Sequence, residues 1–281
     1  MIIDFHAHIF PDHMAAKVID KLSRLSRSIA FSDGTLDGLR RSMDDAGIDR
    51  SIVLPVATNA HQVEHINDSS ARINEAQSEV ISLACMHPDY TNYVDELSRI
   101  KRLGLKGIKI HPIYQETDID DIKFLRILDR AAELELIVVT HAGADIGFPG
   151  VVHCSPSMIK HVVEELGDFK LVAAHMGGWK DWDEALMTLA DTKIFIDTAF
   201  STEKIIPRGD AQWDERELQM LDAERFMQFV KVFGADRIVF GTDSPWSEQK
   251  KSLEFINRLP LTDEERSKIL GINAEKLLNL R

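Results

Sequence analysis

The sequence predicts an α/β fold, a (β/α)8 barrel with extra helices after its eighth strand. Three observations predict it. Short apolar runs recur along all 281 residues. Stretches with helical periodicity separate them. The turn after the first run, "HAHIFPDH", lacks the glycines with which a doubly wound dinucleotide-binding sheet begins.

The runs are "IIDF" (2–5), "SIVLPV" (51–56), "VISLACM" (80–86), "GIKI" (107–110), "LIVVT" (136–140), "LVAA" (171–174), "IFID" (194–197) and "RIVFGT" (237–242). Continuously apolar strands that alternate with helices imply a parallel sheet covered on both faces, and eight such units suggest a closed barrel. Among the intervening helices are "IKFLRILDRAAELE" and "SPSMIKHVVEELGD", the second with Ser155 as cap and Pro156 in its first turn. The tail "LTDEERSKILGINAEKLL" reads as additional helices. No Gly-rich or Pro-rich linker divides the chain, so residues 1–281 are expected to form one domain.

Composition narrows the function. The net charge of −13 argues against nucleic acid and anionic membranes as partners. Cys85 and Cys154 form no CxxC, and Asp4 and His6 interrupt the opening apolar residues, which excludes a signal-peptide core there. No stretch has the apolar length of a membrane span. A cytoplasmic protein acting on a small molecule is expected, with self-association into a homo-oligomer left open.

Chemistry gathers where the apolar runs stop, the position at which barrel enzymes keep their active sites. His6 and His8 end the first run, and in an extended chain side chains two apart point the same way. Lys109 and His111 end the fourth, His141 the fifth, His175 the sixth, Asp197 the seventh and Asp243 the eighth. For Asp197 a capping role is the stronger reading. Several histidines with one late carboxylate form a nitrogen-rich donor set that suits zinc, and also manganese, iron or cobalt. In "GIKI", Ile108 and Ile110 share one face, which puts Lys109 on the lumen side with His111. A buried ammonium needs a carboxylate, a substrate anion or a modification. Lys109, His111 and Trp246 are therefore substrate-side candidates. Trp179 and Trp246 follow site residues closely enough to line the mouth. The Gly- and Pro-rich loop "GADIGFPGVVHCSPSM" reads as pocket wall, and loop 199–214, with Arg208 and Trp213, as a segment able to close over a ligand.

The order His-x-His, His after strand five, His after strand six and Asp after strand eight resembles the amidohydrolase superfamily. "GLKGIKIHP", "THAG", "AHMGGW", "FGTDSPW" and "ILGINAEKLL" resemble its amidohydrolase-related branch, which includes aminocarboxymuconate-semialdehyde decarboxylase and benzoate-type decarboxylases. The resemblance implies a divalent metal, zinc first, held by His6, His8, His141 and Asp243. It makes His175 the catalytic histidine, or a ligand to a second metal as in two-metal relatives, some of which carry a carboxylated lysine on strand four. Asp243 doubles as the proton carrier. The implied activity is metal-assisted hydrolysis of a small amide, lactone or ester. The alternative is decarboxylation of a small unsaturated or aromatic acid. The substrate-carboxylate arginines of that branch have no motif here; Arg40, Arg41, Arg50 and Arg208 are the candidates.

Overall fold

A computed structural model describes residues 1–209 and 211–280; Asp210, inside the 199–214 loop, and Arg281, the last residue of the expected domain, lie outside them. The eight apolar runs form eight parallel barrel strands: β1 (Ile3–Ala7), β2 (Arg50–Val53), β3 (Val80–Ser82, resuming at Ala84–Cys85), β4 (Gly107–Ile110), β5 (Ile137–Thr140), β6 (Leu171–Ala173), β7 (Phe195–Asp197) and β8 (Ile238–Val239). Each pairs with the next in chain order. The break in β3 is bridged by Leu83 N–H, which donates to the Val53 carbonyl (2.9 Å). The ring closes where β8 meets β1. Phe5 N–H donates to Phe240 O and Asp243 N–H to His6 O, both at 2.7 Å.

Alternation along the strands sorts the core into two layers. Ile3, Phe5, Ile52, Leu54, Ile137, Val139, Val172 and Val239 fill the lumen, together with Ala274, Leu277 and Leu278 from the last helix (Asn273–Leu278). That helix plugs the barrel, and Asn273 Nδ2 holds it there by donating to the carbonyls of Ala235 (2.7 Å) and Ile238 (2.8 Å). Ile108 and Ile110 take the other face, packing with Phe124, Ile127 and Leu128 of helix Ile122–Glu133. Lys109 is thereby turned inward, as the parity of "GIKI" requires.

In β1 strict alternation fails where function needs it to. Phe5 belongs to the lumen layer, yet its neighbour His6 also faces inward, toward Asp197 and Lys109. A register shift between Asp4 and Ala7 makes this geometry available.

The expected helix signals hold. Ser155 Oγ accepts from Met158 N–H (3.2 Å) to cap helix Pro156–Leu166, with Pro156 in the first turn. Thr262 and Glu265 form a capping box that starts the C-terminal helices. Among the described residues no helix is long and apolar enough to cross a membrane.

Beside the seam lies Asp4, fully buried. It accepts from Thr242 N–H (2.9 Å), Thr242 Oγ (2.6 Å), Gln249 Nε2 (2.6 Å) and His6 N–H (3.1 Å). Burial pushes its carboxyl up to about 6 against those donors. Asp4→Ala leaves the donors unpaired in a dry site and should cost about 3 kcal/mol or more in chemical denaturation. A loss under about 1 kcal/mol would show that the seam does not need the carboxylate.

Candidate metal centre and active site

His6 is the last residue but one of β1 and His8 follows the strand, while Asp243 follows β8 across the seam. His6 Nε2 and His8 Nε2 lie 3.2 Å apart, and Asp243 Oδ1 lies 3.3 Å from the first and 3.0 Å from the second. The far nitrogens fix the tautomers. His8 Nδ1 faces the Leu54 carbonyl (2.8 Å) and must donate to it. His6 Nδ1 donates to Asp197 Oδ2 (2.8 Å). Burial, reinforced by Lys109, pushes His6 well below the ordinary histidine value, so the ring is neutral. The neutral His6 ring then presents its lone pair at Nε2, and His8, with Nδ1 donating to Leu54, turns its own Nε2 to the same point. Two imidazole nitrogens and a carboxylate oxygen thus converge on one point, an arrangement that a bound cation would stabilise. Bonds of about 2.0–2.1 Å to a central ion put neighbouring ligand atoms near 3.3 Å apart, close to the spacings found here. The donor set fits a divalent metal.

His141 and His175 show the same pattern beside it. His141 Nε2 donates to the Ala144 carbonyl (3.1 Å) and His175 Nδ1 to the Ala199 carbonyl (2.9 Å). Their remaining nitrogens, His141 Nδ1 and His175 Nε2, face each other at 3.1 Å as two lone pairs. The His175 ring centre is 5.2 Å from that of His6. Among the described residues His6, His8 and Asp243 form one metal-capable group, and His141 falls with His111 and Asp145 in a second. The structure thus joins three of the four expected ligands and places His141 at their flank.

The loops that carry these residues are tightly constrained. Gly143 has φ +82°, and a side chain there would meet the Trp179 backbone nitrogen at 2.2 Å. His175 (φ 58°) and Asp243 (φ 68°) also sit in the left-handed region without being glycine.

Lys109 is fully buried in the lumen with Nζ 3.5 Å from His6 Nε2. Burial pulls its ammonium down to about 8, against the opposing pull of Asp197 and Asp243. The arginine candidates lie elsewhere. Arg40 pairs with Glu79, Arg41 with Asp33 and Arg208 with Asp20, while Arg50 starts β2 at the opposite end of the barrel. Trp213 is stacked under Arg27 and donates to its carbonyl, which latches loop 199–214 onto the end of α1 (Asp12–Ser26). Trp179 packs with Phe200, Ile205 and Leu218 in a small apolar cluster. Trp246 is half-buried, and its backbone N–H donates to the Asp243 carbonyl (2.8 Å). His111 lies in the lumen mouth, its ring stacked on those of His141 (4.2 Å) and Tyr114 (3.9 Å).

Two contributors escape sequence reasoning. Asp197 goes beyond a loop cap: besides accepting from the N–H groups of His175 (2.8 Å) and Ala199 (3.1 Å), it orients His6. Asp145 is a buried carboxylate in the loop after β5, where no periodicity marks it. The adjacent Gly143 is the nearest local signal.

The family model described as amidohydrolase matches residues 3–280. Comparison with curated proteins returns no match. Among solved structures, the chain is similar to a dihydroxybenzoic acid decarboxylase from Polaromonas with bound manganese and 2-nitroresorcinol, at 15% identity, 99% and 97% coverage of this chain and that one, and a TM-score of 0.70. It is similar to 5-carboxyvanillate decarboxylase from Sphingomonas paucimobilis (14% identity, 99% and 98% coverage, TM-score 0.69). It is also similar to a Pseudomonas putida protein assigned as a 2-pyrone-4,6-dicarboxylic acid hydrolase (15% identity, 100% and 98% coverage, TM-score 0.67).

Asp197→Asn keeps the shape but removes the charge that orients His6. Metal affinity should fall about 10–100-fold in a competition titration with a chelator, while the fold is retained. Unchanged affinity would remove Asp197 from the centre's support.

Proposed function

The chain belongs to the amidohydrolase family as an enzyme of that metal-dependent superfamily, and we propose that it hydrolyses a small amide, lactone or ester carrying an anionic group. The observation that carries this reading is the convergence of three acceptor atoms from His6, His8 and Asp243 beside a buried Lys109. We assign His6, His8 and Asp243 as ligands and His141 as the fourth, through the Nδ1 lone pair now turned to His175. Zinc is the first choice for a set of three imidazole nitrogens and one carboxylate, and manganese the second. The free, buried cysteines suit a reducing cytoplasm.

When bound, the ion supplies a Lewis acid that polarises the substrate carbonyl and makes water nucleophilic near neutral pH. His175, its Nδ1 held by Ala199, presents Nε2 to the reacting centre, and once that nitrogen has taken up a proton it donates to the carbonyl oxygen on which charge develops. Asp243 takes a proton from the attacking water and returns it to the leaving group. Lys109 holds the substrate's anionic oxygen from inside the barrel.

Decarboxylation is the second reading. The lumen lysine favours a carboxylate-bearing substrate, and two of the similar structures are named as decarboxylases. In that case His175 or Asp243 delivers the proton that replaces carbon dioxide. Release of carbon dioxide without consumption of water separates the two.

Elemental analysis of the purified chain should find one or two divalent ions per chain; none, with no activity restored by zinc or manganese, overturns the assignment. Lys109→Met should keep the metal and reduce kcat/KM about tenfold or more, the expected scale for a charge-assisted hydrogen bond. Loss of metal in that variant, with bicarbonate altering the activity of the parent, would instead mark Lys109 as a carboxylated bridge between two ions.

A further inference from the structure

We propose that a second cavity, outside the metal-capable site, binds a small amphipathic anion: an apolar, ring-sized body with a carboxylate or phosphate head. The cavity measures about 430 Å³. It lies between residues 202–206 of the loop after β7, Phe31 in the segment after α1, and helix Gln249–Arg258. Its volume is in the range of small-molecule sites. None of its wall residues belongs to a metal-capable group.

Hydrogen bonds tie the walls to one another. Ile29 N–H donates to Ile206 O (3.1 Å), which joins the loop to the segment that carries Phe31. Phe31 N–H donates to Pro245 O (2.7 Å), which joins that segment to the turn after β8. Ser252 Oγ donates to Glu203, which also accepts from Glu248 N–H, so the loop is fastened to the first turn of the helix. The cavity is thus preorganised, and a ligand enters it without the cost of ordering a loop.

The wall chemistry is of two kinds. Phe31 and Phe255 are half-buried and Ile206 is 40% exposed, so an apolar surface faces the cavity. Lys204, Lys251 and Arg258 add three cations. Lys251 pairs with Glu248 (2.5 Å), whereas among the described residues the side chains of Lys204 and Arg258 have no hydrogen-bond or ion-pair partner. Two acidic residues, Glu203 and Glu254, oppose them. Glu203 is turned to the helix, and burial pushes its carboxyl up to about 7, so it is only partly charged at neutral pH. Positive charge therefore prevails at this wall, in a chain whose net charge is −13.

An oxyanion head gives Lys204 and Arg258 charge-assisted partners while the apolar body covers the phenyl rings. A neutral ligand leaves those cations without a partner, and a bare anion such as acetate leaves the rings in water. The test is calorimetric titration of the manganese-loaded full chain with 2-naphthoate and 2-naphthyl phosphate, with 2-naphthalenemethanol and acetate as controls. At least one of the two naphthyl anions should bind about tenfold or more tighter than either control. Lys109→Met, which takes the cation out of the lumen, should leave that affinity within about twofold. The double variant Lys204→Gln/Arg258→Gln should weaken it about tenfold or more, with metal content and melting temperature unchanged because both side chains are exposed. The proposal is overturned if neither anion binds, if the alcohol binds as tightly as the anions, or if affinity falls in Lys109→Met or survives in the double variant. A lower melting temperature in the double variant overturns it too, since the two cations would then serve the fold.

Discussion

One buried carboxylate governs the geometry of the site. Asp4 gathers Thr242, Gln249 and the backbone of His6 at the seam where the last strand joins the first. The metal-capable atoms come from the two ends of the chain, His6 and His8 on one side of that seam and Asp243 on the other. Their spacing therefore follows from closure of the ring. An open sheet of the same strands would leave them far apart. The site is assembled by contacts between residues 235 to 245 positions apart in the chain.

Around that seam the lumen is organised by hydrogen-bond polarity. Each of four histidines spends one nitrogen donating outward: His6 to Asp197, His8 to Leu54, His141 to Ala144 and His175 to Ala199. What remains facing inward is a set of lone pairs and a carboxylate. Such an interior is poorly satisfied by itself, which is the usual condition of a preorganised cation site. Lys109 supplies a positive charge from the lumen wall, and its full burial explains why its ammonium is held less firmly than in water.

The barrel was legible because its strands are buried on both faces and therefore read as unbroken apolar runs, accurate to about one residue in β4 and β5. The metal-capable residues were legible as candidates because they stand where those runs end. Parity alone placed Lys109 correctly. It would have placed Phe5 and His6 on opposite faces, and only the register shift in β1, which no residue type announces, brings both inward. Asp197 looked like a cap because its partner His6 is 191 positions away. Asp145 sits in an irregular loop whose path is set by Gly143 against Trp179, a contact without sequence periodicity. Long-range partners and loop geometry are what a linear reading lacks.

The left-handed backbone at His175 and Asp243 has an evolutionary consequence. Holding such a conformation costs a residue with a Cβ of order 1 kcal/mol or more, and here two residues of the proposed site do so. Glycine at either position would relieve that strain while abolishing the side chain's chemistry. The barrel is thus least stable in its own interest where it is most useful, and drift without selection for activity would erode these two positions first.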